Sequence, residues 1–175
     1  MSAALLRSGL LAGLLTVLAL GSGCAGYRLG PSNGQRAGER RVSVEPVANT
    51  TLEPRLGVAV SEALRKQLQQ DGTYRLVTAG SGDVVVHVEI LRYNRQSISF
   101  QPTDTLTSRE YSLSMSARVV ATERGTGRRV LDKELAGRTS IVLASDQASA
   151  EREALPLLSA DLARNITSQL VDGAW

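Results

Sequence analysis

The sequence predicts an α+β domain, a two-layer sandwich in which two helices pack on one face of a mostly antiparallel sheet of four or five strands. Three observations lead to this class. Two segments repeat apolar residues every three or four positions, as amphipathic helices do. Two long segments between them alternate apolar and polar residues, as strands with one buried face do. Because each helix has one apolar stripe and each strand one apolar face, stacking the two layers buries both.

The first strand and the first helix open the domain. The strand is RVSVEPV, in which valines alternate with polar residues up to Pro46. The helix follows within NTTLEPRLGVAVSEALRKQLQQDG, and its apolar stripe recurs every four residues at Leu56, Val60, Leu64 and Leu68. Thr50 or Thr51 is expected to cap the start of this helix, and Gly72 is expected to end it.

A short strand, TYRLVT, precedes two long strands. The first long strand covers residues 83–100 and places one apolar row on a single face: Val84, Val86, Val88 and Ile90. The second covers residues 110–123 and alternates strictly, with these inward residues: Tyr111, Leu113, Met115, Ala117 and Val119. Residues 101–109, QPTDTLTSR, are predicted to form a polar connection between the two strands.

The last strand and the second helix complete the domain. A tight turn at 124–128 leads into the strand RVLDKELAGRTSI. The C-terminal helix carries the apolar stripe Leu155, Leu158, Leu162, Ile166 and Leu170. Pro156 is expected to kink or break this helix. The predicted order is therefore β-α-β-β-β-β-α, or one strand fewer, and the sheet face away from the helices stays open to water or to a partner.

The N-terminal segment has the pattern of a secretory signal. Arg7 precedes an uncharged apolar run over residues 10–20, which is too short for a membrane-spanning helix of about 20 residues. Small residues follow, and then Cys24, the only cysteine of the chain. One interpretation is an ordinary signal peptide with an incidental cysteine. The other is a bacterial lipoprotein signal, in which residues 1–23 are removed and the Cys24 thiol is acylated.

The lipoprotein interpretation is preferred because the end of the apolar run, the small residues and the only cysteine coincide. Gly21 departs from the usual pattern, which has a leucine three residues before the cysteine. Several acyl chains such as palmitate on one residue form a stable membrane anchor, so the folded domain is expected to be tethered while it stays in water. By analogy with lipoprotein sorting in Gram-negative bacteria, Ala25 favours the outer membrane, with the domain facing the periplasm.

Composition and motifs argue against an enzyme and against a nucleic-acid binder. The net charge is +3 and aromatic residues make up 3% of the chain, whereas nucleic-acid binders concentrate cations and stacking aromatics on one element. The single histidine, His87, shares a strand face with Glu89 and is interpreted as part of a polar surface pair, because no nucleophile motif accompanies it. One histidine and one cysteine are too few for a metal site built from those ligands. No cofactor is expected beyond the covalent lipid on Cys24.

Four arginines lie on or beside the two long strands: Arg92, Arg95, Arg109 and Arg118. Apolar residues stand close to them in the sequence at Tyr93, Ile98 and Phe100. Guanidinium groups beside an apolar ridge can bind a phosphorylated amphiphile through bidentate hydrogen bonds. The alternative is that these arginines are simply solvated on an exposed strand.

The mature part of the chain resembles the LPS-assembly lipoprotein family LptE. The stretch CAGYRLG looks like the Cys-Gly-Tyr-x-Leu start of that family, with Ala25 inserted. The family's order of strand, Asn-Thr turn, helix, short strand and Asp-led long strand is similar to VSVEPVANTTLEPRLGVAVSEALRKQL, then DGTYRLV, then DVVVHVEILRY. Its next strand and closing helix resemble REYSLSMSARVV and ALPLLSADLARNITSQLVDGAW.

This resemblance implies two helices on a four-stranded sheet and three regions of the chain. These are a signal peptide at 1–23, a lipidated N-terminus and linker at 24–40, and an LptE-like domain at 41–175. It also implies an outer-membrane lipoprotein that plugs and supports the β-barrel protein LptD and contacts lipopolysaccharide (LPS) during its transport to the outer leaflet. Family members carry a basic residue near the tip of the long hairpin. The candidate LPS-binding residues here are Arg95, Arg109 and Arg92.

A second class of envelope lipoprotein fits the same start. Lipoproteins that activate cell-wall synthases, or that belong to curli-secretion-type assemblies, also open with a strand, an Asn-Thr turn and a helix. A lipoprotein cofactor of another envelope machine is therefore the alternative function.

Overall fold

The computed structural model of the protein describes residues 37–78, 82–101, 104–142 and 147–172. Within these ranges the elements follow in the order β1 (Arg40–Val44), β2 (Ala48–Asn49), α1 (Arg55–Asp71), β3 (Tyr74–Leu76), β4 (Val84–Gln101), β5 (Asp104–Glu123), β6 (Arg129–Val142) and α2 (Gln147–Asp172). The predicted α+β class is confirmed. The predicted signal peptide at 1–23 and the predicted acylation site at Cys24 lie outside the described residues.

The sheet is mixed, which corrects the prediction of a mostly antiparallel sheet of four or five strands. Its order is β3-β1-β4-β5-β6, and the two-residue β2 pairs with β4. β1 pairs in parallel with both β3 and β4, whereas β4-β5 and β5-β6 are antiparallel. The parallel part arises because α1 crosses over between β1 and β3, and a helical crossover returns the chain in the same direction.

The hairpin of β4 and β5 is longer than predicted. The sequence predicted a polar connection at 101–109, but β4 continues to Gln101 and β5 already begins at Asp104, with these two residues paired. The prediction was wrong because backbone pairing needs no buried face. Where neither face of a strand is apolar, the sequence does not alternate between apolar and polar residues, and the strand cannot be recognised from that pattern.

A β-bulge in β4 changes which side chains face the helices. The predicted apolar row is buried as expected: Val84, Val86, Val88 and Ile90. The register then shifts between Ile90 and Arg92, so that Leu91 is an extra residue in this strand. Beyond the bulge, the odd-numbered Tyr93 and Arg95 pair with buried residues of β5 and face the helices. Arg92 therefore lies on the open face.

Helix α1 buries the predicted stripe of Leu56, Val60, Leu64 and Leu68. It begins one turn later than a threonine cap would require, because Pro54 is its N-cap residue and no side chain caps it. Thr50 instead donates its hydroxyl to the carbonyl of Ile90 at 2.8 Å. Gly72 ends the helix at a left-handed φ of 72°, as predicted.

Helix α2 covers β5 and β6 and closes the outer edge of the sheet. Its predicted stripe is buried, and the helix runs through the exposed Pro156 without a break. The Asp161 carboxylate accepts the backbone N–H of Arg138 at 2.9 Å, and the Asn165 amide donates to the carbonyl of Ala136 at 2.7 Å. These bonds satisfy backbone groups that an edge strand otherwise exposes. Neither helix of the described ranges is long and apolar enough to cross a membrane.

Candidate functional site

A large cavity lies where the long hairpin leaves the helix-covered body. We call it the hairpin-base cavity; its volume is about 880 Å³. It is lined by the loop between β2 and α1, by both hairpin strands, by β6 and by the start of α2. Its lining includes the side chains of Leu52, Leu91, Arg92, Tyr93, Arg95, Met115, Ala136, Arg138 and Glu151. Because residues from both faces of β4 line it, the cavity wraps around this strand.

Arg92 lines the cavity from the open face of the sheet. Its guanidinium forms an ion pair with Glu134 of β6 and remains largely exposed. The Ser116 hydroxyl and the Arg92 guanidinium lower the pKa of the Glu134 carboxyl. Both partners are therefore charged at neutral pH, and a ligand anion at Arg92 would have to compete with this carboxylate.

Arg95 lines the cavity from the helix-facing side of β4. It forms an ion pair with Glu151 of α2, and its guanidinium carbon lies 5.8 Å from the ring centroid of Tyr111. This geometry is a cation–π contact that orients the guanidinium plane. The neighbouring Tyr93 is partly buried, and burial together with the Glu151 carboxylate raises the pKa of its phenol. Arg95 is thus held at the junction of hairpin and helix.

The structure separates the four arginines that the sequence placed together. Arg92 and Arg95 meet at the cavity from opposite sides of β4, whereas Arg118 pairs with Asp132 at 3.1 Å on the open face, away from the cavity lining. The backbone of Arg109 lies in β5, and its side chain falls outside the described part of the structure. Its predicted role in LPS binding stays a prediction, as do those of Arg92 and Arg95.

Sequence reasoning missed two lining residues. Arg138 of β6 lies opposite Ser114 of β5, and among the described residues its side chain forms no ion pair. Leu52 precedes α1, and its side chain is fully exposed. The alternation of β6 could have placed Arg138 on the open face. Nothing in the sequence shows that a leucine in a loop will stand uncovered beside two arginines.

His87 is exposed on the open face, as expected for a polar surface residue. Its Nδ1 lies 3.2 Å from Oε2 of Glu45 on the loop after β1, rather than pairing with Glu89. The described ranges contain no group of three or more histidine, cysteine, aspartate or glutamate side chains that could hold a metal ion. The hairpin-base cavity is therefore the candidate site that the geometry supports.

The cavity combines the two surfaces that a phosphorylated amphiphile requires. Three guanidinium groups can each donate paired hydrogen bonds to phosphate oxygens. Leu52, Leu91 and Ala136 supply apolar surface beside them, and an exposed apolar surface in contact with charge is typical of a binding site. Two of the three cations are paired with glutamates, so an anion at Arg92 or Arg95 would have to exchange with a carboxylate.

Comparison with known protein families gives one match. The model of the LptE family, described as lipopolysaccharide-assembly, matches residues 39–170. This range covers every described strand and helix except the last two residues of α2. Among curated proteins, none matches the sequence.

Solved structures share the fold at low sequence identity. A hypothetical protein from Chlamydia trachomatis has a TM-score of 0.58 at 16% identity, covering 77% of this chain and 98% of its own. A protein from Xanthomonas campestris has a TM-score of 0.60 at 7% identity, covering 82% and 90%. A protein described provisionally as a lipoprotein, from Caulobacter crescentus, has a TM-score of 0.50 at 15% identity, covering 72% and 88%. At these identities the comparisons show the fold alone.

Proposed function

Since the chain belongs to the LptE family of lipopolysaccharide-assembly proteins, we propose that it is an outer-membrane lipoprotein of LPS assembly. In this role it is anchored through acylated Cys24 and faces the periplasm. It plugs and supports an LptD-like β-barrel and contacts LPS on its way to the outer leaflet. The role is non-enzymatic, because binding and positioning account for it without a reacting group.

The observation that carries the proposal is the lining of the hairpin-base cavity. Arg92 and Arg95, chosen from the sequence, both reach it, and Arg138 adds a third guanidinium. LPS is an amphiphile with phosphate groups next to acyl chains, so arginines beside Leu52 and Leu91 match both of its parts. The carboxylates of Glu134 and Glu151 keep the site occupied until a phosphate displaces them.

The open face supports the part of the proposal that concerns the barrel. Most of its described side chains are polar or charged, with apolar exceptions such as Val120 and Val142. Several of the charged ones are paired with one another, for example Arg92 with Glu134, and Arg118 with Asp132. A water-filled barrel lumen is itself polar. A plug with this face can therefore contact the lumen through hydrogen bonds, with charges such as those of Arg92 and Arg118 already balanced by carboxylates.

Binding of LPS tests the cavity. The double variant Arg92→Gln/Arg138→Gln removes two cavity cations, and its affinity for fluorescently labelled LPS should fall by at least about tenfold, because hydrogen bonds to charged groups are lost. The control Arg118→Gln/Arg164→Gln makes the same change in charge outside the cavity lining and should bind as the parent does. Equal losses in both variants would show that binding follows net charge alone.

Co-purification tests the partner. After detergent extraction of the producing cell's envelope, we expect the chain to be recovered with a large outer-membrane barrel. Recovery with an inner-membrane cell-wall synthase instead would contradict the LPS-assembly role and favour the alternative. The anchor is tested separately by intact mass, which should show loss of residues 1–23 and added acyl chains, and neither change in Cys24→Ala.

A further inference from the structure

The end of the sheet opposite the hairpin carries a row of arginines. They come from three strands and the β5-β6 turn and are Arg41, Arg75, Arg124, Arg128 and Arg129; we call them the arginine rim. Arg41 of β1 is paired in register with Arg75 of β3. Asp83, just before β4, bonds to the backbone of Arg41 on one side and to that of Arg124 on the other. The row therefore crosses the sheet from its β3 side to its β6 side.

The charges of the rim are only partly balanced. Arg41 is paired with Asp83 at 2.9 Å, Arg129 with Asp132 at 2.7 Å, and Arg128 more loosely with Glu123 at 3.8 Å. Arg75 and Arg124 are exposed, and neither side chain has an ion pair among the described residues. Two guanidinium groups at this end are thus available to an external anion.

A cavity lies within the rim. Its volume is about 430 Å³, and it is lined by these residues: Arg40, Arg41, Gly82, Asp83, Glu123, Arg124, Gly125 and Thr126. The Arg41 guanidinium lowers the pKa of Asp83, so this carboxylate stays ionised and holds Arg41 in place. Arg124 is the lining cation without such a carboxylate partner in the described structure. A single phosphate group fits a site of this kind better than an extended polyanion does, since the neighbouring carboxylates repel further negative charge.

The chain enters the domain at this same end. The described residues begin at Ala37, and the Gly38 N–H donates to the carbonyl of Thr73, between α1 and β3, at 3.0 Å. Cys24 stands thirteen positions before Ala37 in the sequence. Even fully extended, that many residues span no more than about 45 Å. An anchor at Cys24 therefore keeps the arginine-rim end of the domain within about this distance of the membrane surface.

We propose that the arginine rim is a membrane-docking surface that binds the phosphate headgroups of anionic phospholipids, with Arg75 and Arg124 as its free cations. The assignment rests on the proposed anchor at Cys24, which supplies the high local lipid concentration. An acyl anchor restricts distance but leaves the domain free to turn. A second, electrostatic contact fixes its orientation, and two signals of this kind are what stable membrane attachment uses. The hairpin and its cavity then lie at the end of the domain away from the headgroups that the rim binds.

Headgroup contact can be measured with one fluorescent label at each end of the domain. Gly125→Cys places a label on the rim, where an added Cβ meets no atom within 4 Å. Leu52→Cys places one at the hairpin-base cavity, on a fully exposed side chain. The labelled full chain is reconstituted into phosphatidylcholine vesicles with and without phosphatidylglycerol, both containing a headgroup-linked quencher. Quenching at the rim should be several-fold stronger in the anionic vesicles and weak at position 52 in both.

The cations are tested on the rim-labelled chain. Arg75→Gln/Arg124→Gln should weaken headgroup contact by roughly fivefold for each arginine removed, and high salt should have the same effect. The matched control Arg118→Gln/Arg164→Gln, which changes charge by the same amount elsewhere, should leave quenching unchanged. Equal quenching at both ends, or an equal loss in the control, would overturn the docking surface.

The same vesicles separate this inference from the proposed anchor. If the chain is not acylated, it does not co-float with neutral vesicles, which contradicts the anchor. The soluble chain can then be mixed with the anionic vesicles, and rim-specific quenching that depends on Arg75 and Arg124 would still support the docking surface. Co-flotation without rim-specific quenching would support the anchor and reject the rim.

Discussion

The two faces of the sheet are stabilised by different forces. The helix-facing side chains of β4 and β5, such as Val88 and Leu113, have no solvent exposure at all. The open face carries ion pairs such as Arg118 with Asp132, whose side chains remain 54% and 30% exposed. Burial of an aliphatic side chain contributes about 1.5–3 kcal/mol, whereas an exposed ion pair contributes little. Stability thus comes from one face, and the other is free to serve recognition.

This division has a consequence for how the molecule tolerates change. Substitutions on the open face should leave the domain folded, and those in the hairpin-base cavity should alter binding without unfolding it. Substitutions between the layers should unfold it before any binding step can be assessed. Variants between the layers and variants on the open face should therefore differ in their effect on stability.

The largest effect is expected from truncation between the layers. Leu162 of α2 is fully buried, so Leu162→Ala should lower the free energy of unfolding by about 2–5 kcal/mol through lost burial and the cavity left behind. Urea denaturation followed by circular dichroism measures this. The control on the same helix is Leu157→Ala, whose side chain is 61% exposed and which should cost less than about 0.5 kcal/mol. Comparable losses would mean that α2 does not pack in the described orientation.

A second interlayer contact depends on the absence of a side chain. A Cβ built on Gly137 of β6 would lie 2.8 Å from the carbonyl oxygen of Leu158 and from the backbone nitrogen and Cβ of Leu162. Gly137→Ala should therefore force α2 away from the sheet and cost about 1–3 kcal/mol. At Gly125 an added Cβ meets nothing within 4 Å, so Gly125→Ala is the matched control. An unchanged unfolding midpoint in Gly137→Ala would refute the close approach.

The interlayer contacts are also the part of the molecule that the sequence predicts best. The stripes of α1 and α2 were found from their spacing because a helix packed on a sheet needs apolar residues at that period. The alternation of residues 110–123 was equally clear. These patterns depend on local periodicity alone, so a single sequence contains them.

The open face and the cavity were predicted less well, for physical reasons. The bulge at Leu91 inserts one residue opposite β5, and the partner strand rather than the local sequence sets that register. It places Arg92 on the open face and Arg95 on the helix-facing side, the reverse of what uninterrupted alternation from Val84 would give. The pairing of Arg95 with Glu151 joins residues that are 56 positions apart. A charged side chain on a strand can pair with many different residues, so the sequence does not show which carboxylate it will meet.

A smaller effect is expected from Tyr74, which is buried between the layers. The hydroxyl of Tyr74 donates to the carbonyl of Leu170 at 3.1 Å, so Tyr74→Phe should cost about 1 kcal/mol and leave that acceptor unpaired. Burial raises the pKa of Tyr74 to about 12, compared with about 10 in an unfolded chain. The folded state therefore holds this proton more tightly, and stability is lost as the pH rises from about 10 towards 12.

Denaturation at a series of alkaline pH values tests this contribution. The parent should lose stability more steeply than Tyr74→Phe above about pH 10, because only the parent must release the raised proton. Tyr111 is only partly buried, and Tyr111→Phe serves as the control for removing a tyrosine hydroxyl elsewhere in the sheet. Identical slopes in the parent and Tyr74→Phe would contradict burial of the Tyr74 hydroxyl.

The smallest effect is expected on the open face at acid pH. The Arg118 guanidinium lowers the pKa of Asp132, chiefly through its hydrogen bond to that carboxylate. A group whose pKa is lower in the folded state stabilises it above the unfolded value of about 4. This contribution disappears as the pH falls through the folded pKa, because protonation then favours the unfolded chain.

Arg118→Gln removes one of the two arginine partners of Asp132, and it should reduce the fall in stability at acid pH while changing stability little at neutral pH. Leu162→Ala provides the contrast, since a lost apolar contact lowers the free energy of unfolding by the same amount at every pH. Arg75→Gln is the matched charge control, because no ion pair is formed by Arg75 in the described structure. If Arg118→Gln instead shifted stability uniformly with pH, as the core variant does, the guanidinium would be acting through packing of its alkyl chain. The open face would then share the role of the helix-facing side.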